Sequence, residues 1–484
     1  MRFINLIKPN STWVARYKDD TVDAEYVSNL LATVGMGPLG ELSQEKLHVF
    51  CVFNPLQALL SYFVGSHLGL TCAVVSPRSL DKLLDGFDKR QLGTIITPLG
   101  RRSPSLPADV EFLALNFSPP LLEHERSAPD SHRPARFIFC TSGSTGKAKR
   151  VVHCETSLVS NAKVVAEYLR LSDQDHSYCV FPMQYMYGLS TSLCALHSNS
   201  IIEYGDFVSP ALVASYVKSK PITVLPLLGE WSHEVSQEWR RAYTPKRLIL
   251  LNASDRLLES QAAELLPWAT EFWNNLGQTE SAPRIFALEL KQFKNLHQVC
   301  HNNTVSVGYP VDKNIEVKLV NKNATTGVGN LYYKTPFKML GYLQDNGDLQ
   351  EVGTYSDSGD LFVQDDQGRW HWVARSSHTI KVNGELVPLT SVTNKILNYK
   401  EVSGVGYVTN KKGELCTFIE SSTMNDALRV ELTSLLTHTL RGKRSRVSLV
   451  HKLPRTENGK LDLSELRQKS LENSKINNLN QQDM

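Results

Sequence analysis

The chain has 484 residues, 41% hydrophobic and 21% charged, with 52 basic against 49 acidic side chains and a net charge of +3. That length exceeds a single compact core and calls for two or three lobes, and the near balance of charge excludes a whole-molecule pull toward nucleic acid or a membrane surface. The eight cysteines are scattered, with no C-x-x-C pair and no Cys/His cluster at zinc spacing, a pattern of reduced thiols in a cytosolic protein.

MRFINLIKPN starts with a cation but lacks an apolar h-region, so no signal peptide is expected. Residues 47–77, LHVFCVFNPLQALLSYFVGSHLGLTCAVVSP, contain no charged residue. A spanning helix needs roughly 20 predominantly apolar residues in succession, and Asn54-Pro55, Gln57, Gly65-Ser66-His67 and Gly69 break this run. It therefore predicts a buried strand, helix and strand, with no membrane span. TIITP, EFLALN, RFIFCTS, YCVFPM, SIIEY, ITVLP and RLILLN are further short strands between helical patterns, the texture of α/β layers with buried parallel strands. From about residue 302 the pattern turns to alternating strands, NIEVKLV, GNLYYKT and DLFVQDDQGRWHWVAR, which predicts a β-rich subdomain. Residues 376–467 read as a small α+β lobe and 468–484 as a polar, disordered tail.

One stretch carries chemistry on its face. RFIFC opens into Thr141-Ser142-Gly143-Ser144-Thr145-Gly146-Lys147, where two glycines let backbone N–H groups approach an anion, four hydroxyls add donors and the lysine adds charge. It is not a Walker loop, which needs four residues between its glycines and Ser or Thr after the lysine; here two residues intervene and Ala148 follows. The G-x-G-x-x-G spacing of a dinucleotide fold is absent too.

TSGSTGKAK resembles the phosphate-binding signature of the adenylate-forming (acyl-activating, AMP-binding) enzymes, TSG[ST]TGxPKG. Further similarities follow in the family's order: NNLGQTES (274–281) to YGxTE, YSDSGDLF (355–362) to YxTGD, ARSSHTIKVNGELVP (374–388) to GRxDxxIKxxGxxVxP, and LPRTENGKLD (453–462) to PRTxxGKxxR. The resemblance implies an α/β fold with a large N-terminal adenylate-forming domain, built of layered α/β subdomains plus the β-rich one, and a small mobile α+β C-terminal domain. The boundaries it implies are 1–374 for ATP and acid binding, a hinge at 375–379, and 380–467 for the mobile domain.

It also implies the roles. In acyl-adenylate formation a carboxylate attacks the α-phosphorus of ATP and pyrophosphate leaves, so cations and donors matter more than a proton shuttle. By resemblance, residues 141–147 hold the β- and γ-phosphates, Thr279 touches the α-phosphate, and Glu280 helps place Mg²⁺. Asp360 accepts the ribose hydroxyls, Arg375 adds a ribose or phosphate contact, and Lys460 bridges the acid and the α-phosphate. Ser377 stands at the hinge position, where the family carries Asp or Lys. Leu276 and Gly277, with Asn252, Ala253 and Ser254, would bind the nucleotide at its adenine end; there the chain departs from the usual Tyr at 276 and from SGGAP. Ala148, Arg150 and Ala374 are smaller departures.

For the acid, FPMQYMYGLS is similar to the PLFHxYGL segment of acyl- and aryl-CoA synthetases. Met183, Tyr185, Tyr187, Gly188 and Leu189, with Asn275, would line an apolar, partly aromatic pocket. No acidic residue lies between Asp175 and Glu203 to pair with an α-ammonium, which disfavours an amino acid and favours an aryl or medium acyl acid. The acceptor would be CoA or a phosphopantetheinylated carrier protein, and LRGKRSRVSLVHKLPR (440–455) is a basic run that either could meet. Two alternatives stay open: an amino-acid adenylating enzyme, and a noncatalytic nucleotide-binding homologue.

Overall fold

The computed structural model describes residues 2–7, 11–34, 38–98, 110–117, 133–141, 148–240, 247–376, 379–382, 385–410, 414–440, 445–455 and 461–470. Two compact units emerge: Met1–Lys318 with Tyr332–Ser358 and Gln364–His371, and Leu319–Leu331 with Gly359–Val363 and Trp372–Met484.

The first unit holds two large sheets. In the eight-stranded one, Leu47–Cys51 pairs in parallel with Thr71–Val75 and with Leu92–Pro98, and Thr71–Val75 with Arg136–Thr141. The first two of these strands are buried at every position, the pattern of a parallel sheet covered on both faces. The connecting helix, Pro55–Leu68, starts where Asn54 accepts the Gln57 N–H with Pro55 in the first turn, and ends at Gly69 with φ +65°, a left-handed cap that suits glycine. The helix buries almost its whole circumference, which explains why residues 47–77 carry no charge. No described helix is long and apolar enough to cross a membrane.

The nine-stranded sheet has the order Tyr309–Pro310, Phe286–Glu289, Glu271–Leu276, Ile249–Asn252, Val224–Leu227, His176–Cys179, Ile201–Tyr204, Val14–Tyr17, Asp20–Asp23. Its inner strands run parallel, as the apolar runs predict. One run is shorter than expected: the strand in YCVFPM ends at Cys179, because Tyr185 N–H turns back to Pro182 O (3.1 Å) and launches the helix Met186–His197.

A buried carboxylate ties the start of the chain into this unit. Glu155, fully buried, accepts from Arg2 Nε (2.7 Å), the Phe3 and Ala135 N–H groups (2.9 Å each) and Ser66 Oγ. Beyond residue 302 the strands Glu316–Val320, Gly329–Lys334, Ser356–Gln364 and Trp370–Arg375 form a four-stranded sheet in that order.

In the second unit, Val402–Thr409, Leu415–Ser421 and Ser445–Val450 form a three-stranded sheet. The last two are parallel and are joined through the helix Asp426–Thr439. Leu428, Leu432 and Leu436, spaced four apart, put one helical face into a core with Val392, Ile396, Ile419 and Val447.

Candidate active site

The strand Glu271–Leu276 ends in the segment that resembles the family's YGxTE. A Cβ on Gly277 would sit 1.1 Å from the Pro283 carbonyl oxygen, so the chain doubles back here only because residue 277 has no side chain. Ile285 N–H closes the loop onto Leu276 O at 2.9 Å. Inside it, Thr279–Ser281 form a single 3-10 turn, and Ala282 takes φ +48°, a left-handed conformation costing a non-glycine residue roughly 1–2 kcal/mol.

Side chains from three other segments hold the turn. Gln278 donates to Ser358 O (2.6 Å) and accepts from Tyr333 OH (3.1 Å). Met339 N–H donates to Glu280 O (3.0 Å), and Tyr342 OH to Glu280 Oε1 (3.3 Å). Burial, with Glu280 beside it, pushes the Tyr342 phenol up, so it remains a donor. His153 Nε2 meets Thr279 O at 2.6 Å, while the Thr279 hydroxyl makes no hydrogen bond among the described residues. The backbone of Thr279 and Glu280 is fixed from several sides.

His153 is a positioning residue that the sequence did not single out. It is fully buried in the strand Lys149–Cys154, and burial lowers its pKa from 6.5 to about 4 against the smaller opposing effect of the Thr279 carbonyl. The imidazole is therefore neutral at physiological pH, and its Nε2–H donates. Because the folded pKa lies below the unfolded one, the unfolded chain alone gains this proton as pH falls from 6.5 toward 4. We expect up to about 3 kcal/mol of stability, present above pH 6.5, to be lost across that window. Urea unfolding at stepped pH should show a shallower fall for His153→Gln; equal slopes would remove the histidine from the account.

The residues expected at the adenine lie at neighbouring strand ends. Asn252 pairs in register with Asn274, and its Nδ2 donates to Asn274 Oδ1 (2.8 Å). Asn274 donates onward to Ser306 O (2.9 Å), and Asn275 to Asn252 O (3.2 Å). Asn252 is fully buried, yet its Oδ1 has no hydrogen-bond partner among the described residues, a cost of about 1–3 kcal/mol unless a donor fills the gap. Ala253 is buried, and Ser254 follows at φ +79°. Leu276 is half-buried at its strand's end.

Of the residues expected around the acid, Met183, Tyr185, Tyr187, Gly188 and Leu189 lie at the start of the helix Met186–His197, whereas Asn275 sits on the strand Glu271–Leu276 beside Asn252. Gly188 packs so closely on the preceding loop that a Cβ would lie 2.3 Å from Phe181 O. Met183 and Leu189 are buried in the core; Met183 O accepts from Tyr62 OH (2.8 Å). Tyr185 is half-buried and caps the helix. The Tyr187 hydroxyl donates into the Leu227 and Leu251 carbonyls, and its ring packs on Phe181 with centroids 4.7 Å apart. Arg284, also not singled out in the sequence, lies over Tyr187 with its guanidinium carbon 5.8 Å from the ring centre.

In the second unit Asp360 is buried, and its Oδ1 meets Trp372 Nε1 and Arg375 Nε, each at 3.1 Å; Arg375 remains half-exposed. Thr141 ends a strand, opposite Lys149 on the antiparallel neighbour. The residues between them that complete the phosphate loop, Ser142, Gly143, Ser144, Thr145, Gly146 and Lys147, lie outside the described residues, as do Ser377 and Lys460.

Among the described residues no group of three His, Cys, Asp or Glu gathers for a metal. A single partly exposed carboxylate such as Glu280 still suits Mg²⁺, which keeps several waters and takes one or two carboxylates alongside substrate phosphates.

The family model described as AMP-binding enzyme matches residues 63–343. A 2-succinylbenzoate–CoA ligase of Listeria monocytogenes is 24% identical over 348 residues, covering 69% of this chain and 70% of that protein. An anthranilate–CoA ligase of Pseudomonas aeruginosa is 26% identical over 358 residues, covering 69% and 66%. Among solved structures, the o-succinylbenzoate CoA synthetase MenE of Bacillus subtilis in complex with its acyl-adenylate intermediate superposes with a TM-score of 0.78 at 18% identity, over 96% of this chain and 97% of that one. The fold, α/β with a large N-terminal and a small C-terminal domain, is the one those structures share. With more than half of its length matched by the family model, the chain belongs to the AMP-binding enzyme family.

Proposed function

We propose that this protein is an acid–thiol ligase: it activates an aryl or medium acyl carboxylic acid as its acyl-AMP, with ATP as donor and pyrophosphate leaving, and passes the acyl group to a thiol. The observation that carries this is the Gly277–Pro283 turn. Its backbone is fixed by His153, Gln278, Tyr333 and Met339, so the Thr279 hydroxyl and the Glu280 carboxylate meet a phosphate without reorganising. Glu280 would hold Mg²⁺, which neutralises developing phosphate charge. The unfilled Asn252 Oδ1 suits an N–H donor such as the exocyclic amine of adenine, with Leu276 covering the base by apolar contact and Ala253 and Ser254 beside it. Asp360 takes the ribose with Arg375, and the Thr141–Lys147 loop takes the outer phosphates.

Lys460 meets the acid and the α-phosphate when a C-terminal domain of residues 380–467 turns about a hinge at 375–379 that includes Ser377. Relatives named for 2-succinylbenzoate and anthranilate, both aryl acids joined to CoA, favour an aryl acid and CoA over a carrier protein. All eight cysteines are free thiols, which suits a reducing cytoplasm. ATP–pyrophosphate exchange over a panel of aryl, fatty and amino acids tests the activity, followed by trapping of the thioester on CoA or a holo carrier protein. Exchange driven by aryl acids is the expected result; absence of exchange with every acid overturns the reading.

A further inference from the structure

Glu280 is gripped at both backbone and side chain by one short segment. Met339 N–H donates to Glu280 O (3.0 Å), and three residues on, Tyr342 OH donates to Glu280 Oε1 (3.3 Å). The segment itself has little freedom. Tyr342 lies in the strand Gly341–Leu343, between Leu349–Glu351 and Lys149–Cys154, and in register with Val151. Leu340 N–H donates to Val152 O (2.8 Å), and a Cβ on Gly341 would lie 2.3 Å from Gln350 O. Lys149, two positions before Val151 and so on the same face of its strand, puts its ammonium 5.1 Å from the Tyr342 ring centre, a cation–π contact that holds the ring.

This grip divides the two carboxylate oxygens. Oε1 is engaged, whereas Oε2 accepts no hydrogen bond among the described residues. No group of three His, Cys, Asp or Glu gathers for a metal among the described residues, so a cation at this turn depends on what Glu280 offers. Mg²⁺ and Ca²⁺ differ in what they require. Mg²⁺ is octahedral, keeps several waters and needs only one or two carboxylates beside substrate phosphates. Ca²⁺ gathers about six to eight oxygens, and a bidentate carboxylate is a common way to fill that larger shell.

Resting on the acid-activating reading above, we infer that Tyr342 is a positioning residue that sets the metal preference of this site: by holding Oε1 it leaves Glu280 a one-oxygen ligand, which serves Mg²⁺ and disfavours Ca²⁺. Tyr342→Phe keeps the ring and its contact with Lys149 but releases Oε1, so both oxygens become available to the larger ion.

The test reads binding rather than turnover: isothermal titration of ATP with no acid present, in excess Mg²⁺ or in excess Ca²⁺. Wild-type protein should bind ATP at least about tenfold more tightly with Mg²⁺. Tyr342→Phe should bring the two affinities to within about threefold of each other, chiefly by strengthening binding with Ca²⁺. A purely structural role for Tyr342 would weaken binding with both metals alike and keep their ratio. An unchanged ratio in the variant therefore overturns the inference while leaving the ligase reading intact, as does equal affinity with both metals in the wild type. If ATP binds with neither metal, the ligase reading fails and this inference with it. Should the variant not fold, the wild-type ratio decides alone: a Mg²⁺ preference of the expected size supports the inference, and a ratio near one overturns it.

Discussion

Gly277→Ala is expected to lower ATP–pyrophosphate exchange by about 100-fold or more while leaving the rest of the fold in place. Gly277 does not take a positive φ, so its demand is for space. The added methyl would lie 1.1 Å from the Pro283 carbonyl oxygen and 2.9 Å from the Arg284 nitrogen. Both obstacles are backbone and cannot swing aside as a side-chain tip would. The loop would have to open, carrying Thr279 and Glu280 with it, and a displacement of about 1 Å at reacting groups costs on the order of 100-fold. Overpacking of this kind also costs about 1–3 kcal/mol of stability. Exchange assays and thermal melts on the same preparation separate the two effects. A variant with wild-type exchange and an unaltered melt would show that the turn relaxes freely, and the account of its rigidity would fall.

Lys460→Ala is expected to split the two half-reactions. If Lys460 bridges the acid and the α-phosphate, its charge stabilises the transition state of adenylate formation, and its loss should cost about 10²–10³-fold there. Transfer from a supplied acyl-adenylate to the thiol acceptor involves no such charge and should proceed near the wild-type rate. Single-turnover measurement of each half-reaction checks this. Equal losses in both steps, or none in either, would move the bridging role to another cation.

Much of the architecture was written in local pattern. The uncharged run of residues 47–77 predicts a strand, helix and strand, and Asn54, Pro55 and Gly69 punctuate it where the structure places the helix ends. The strand in YCVFPM was over-read by several residues, since apolar content continues past Cys179 into a turn made by a backbone hydrogen bond. The side chains missed at the site share one trait: their partners are distant in sequence. His153 meets a carbonyl 126 residues away, and Asn274 joins the expected Asn252 only because two parallel strands bring the pair into register. Arg284 follows the GQTES segment with nothing in the local sequence to mark it; only the fold shows that it is buried.

The Glu155 clamp sets an order of assembly. Arg2 and Phe3 are made 153 and 152 residues before the carboxylate that holds them. At about 5–20 residues per second of synthesis, the opening segment waits roughly 8–30 s for its partner. Arg2 and Phe3 are thus unable to dock until the strand Lys149–Cys154 and the residue after it have emerged.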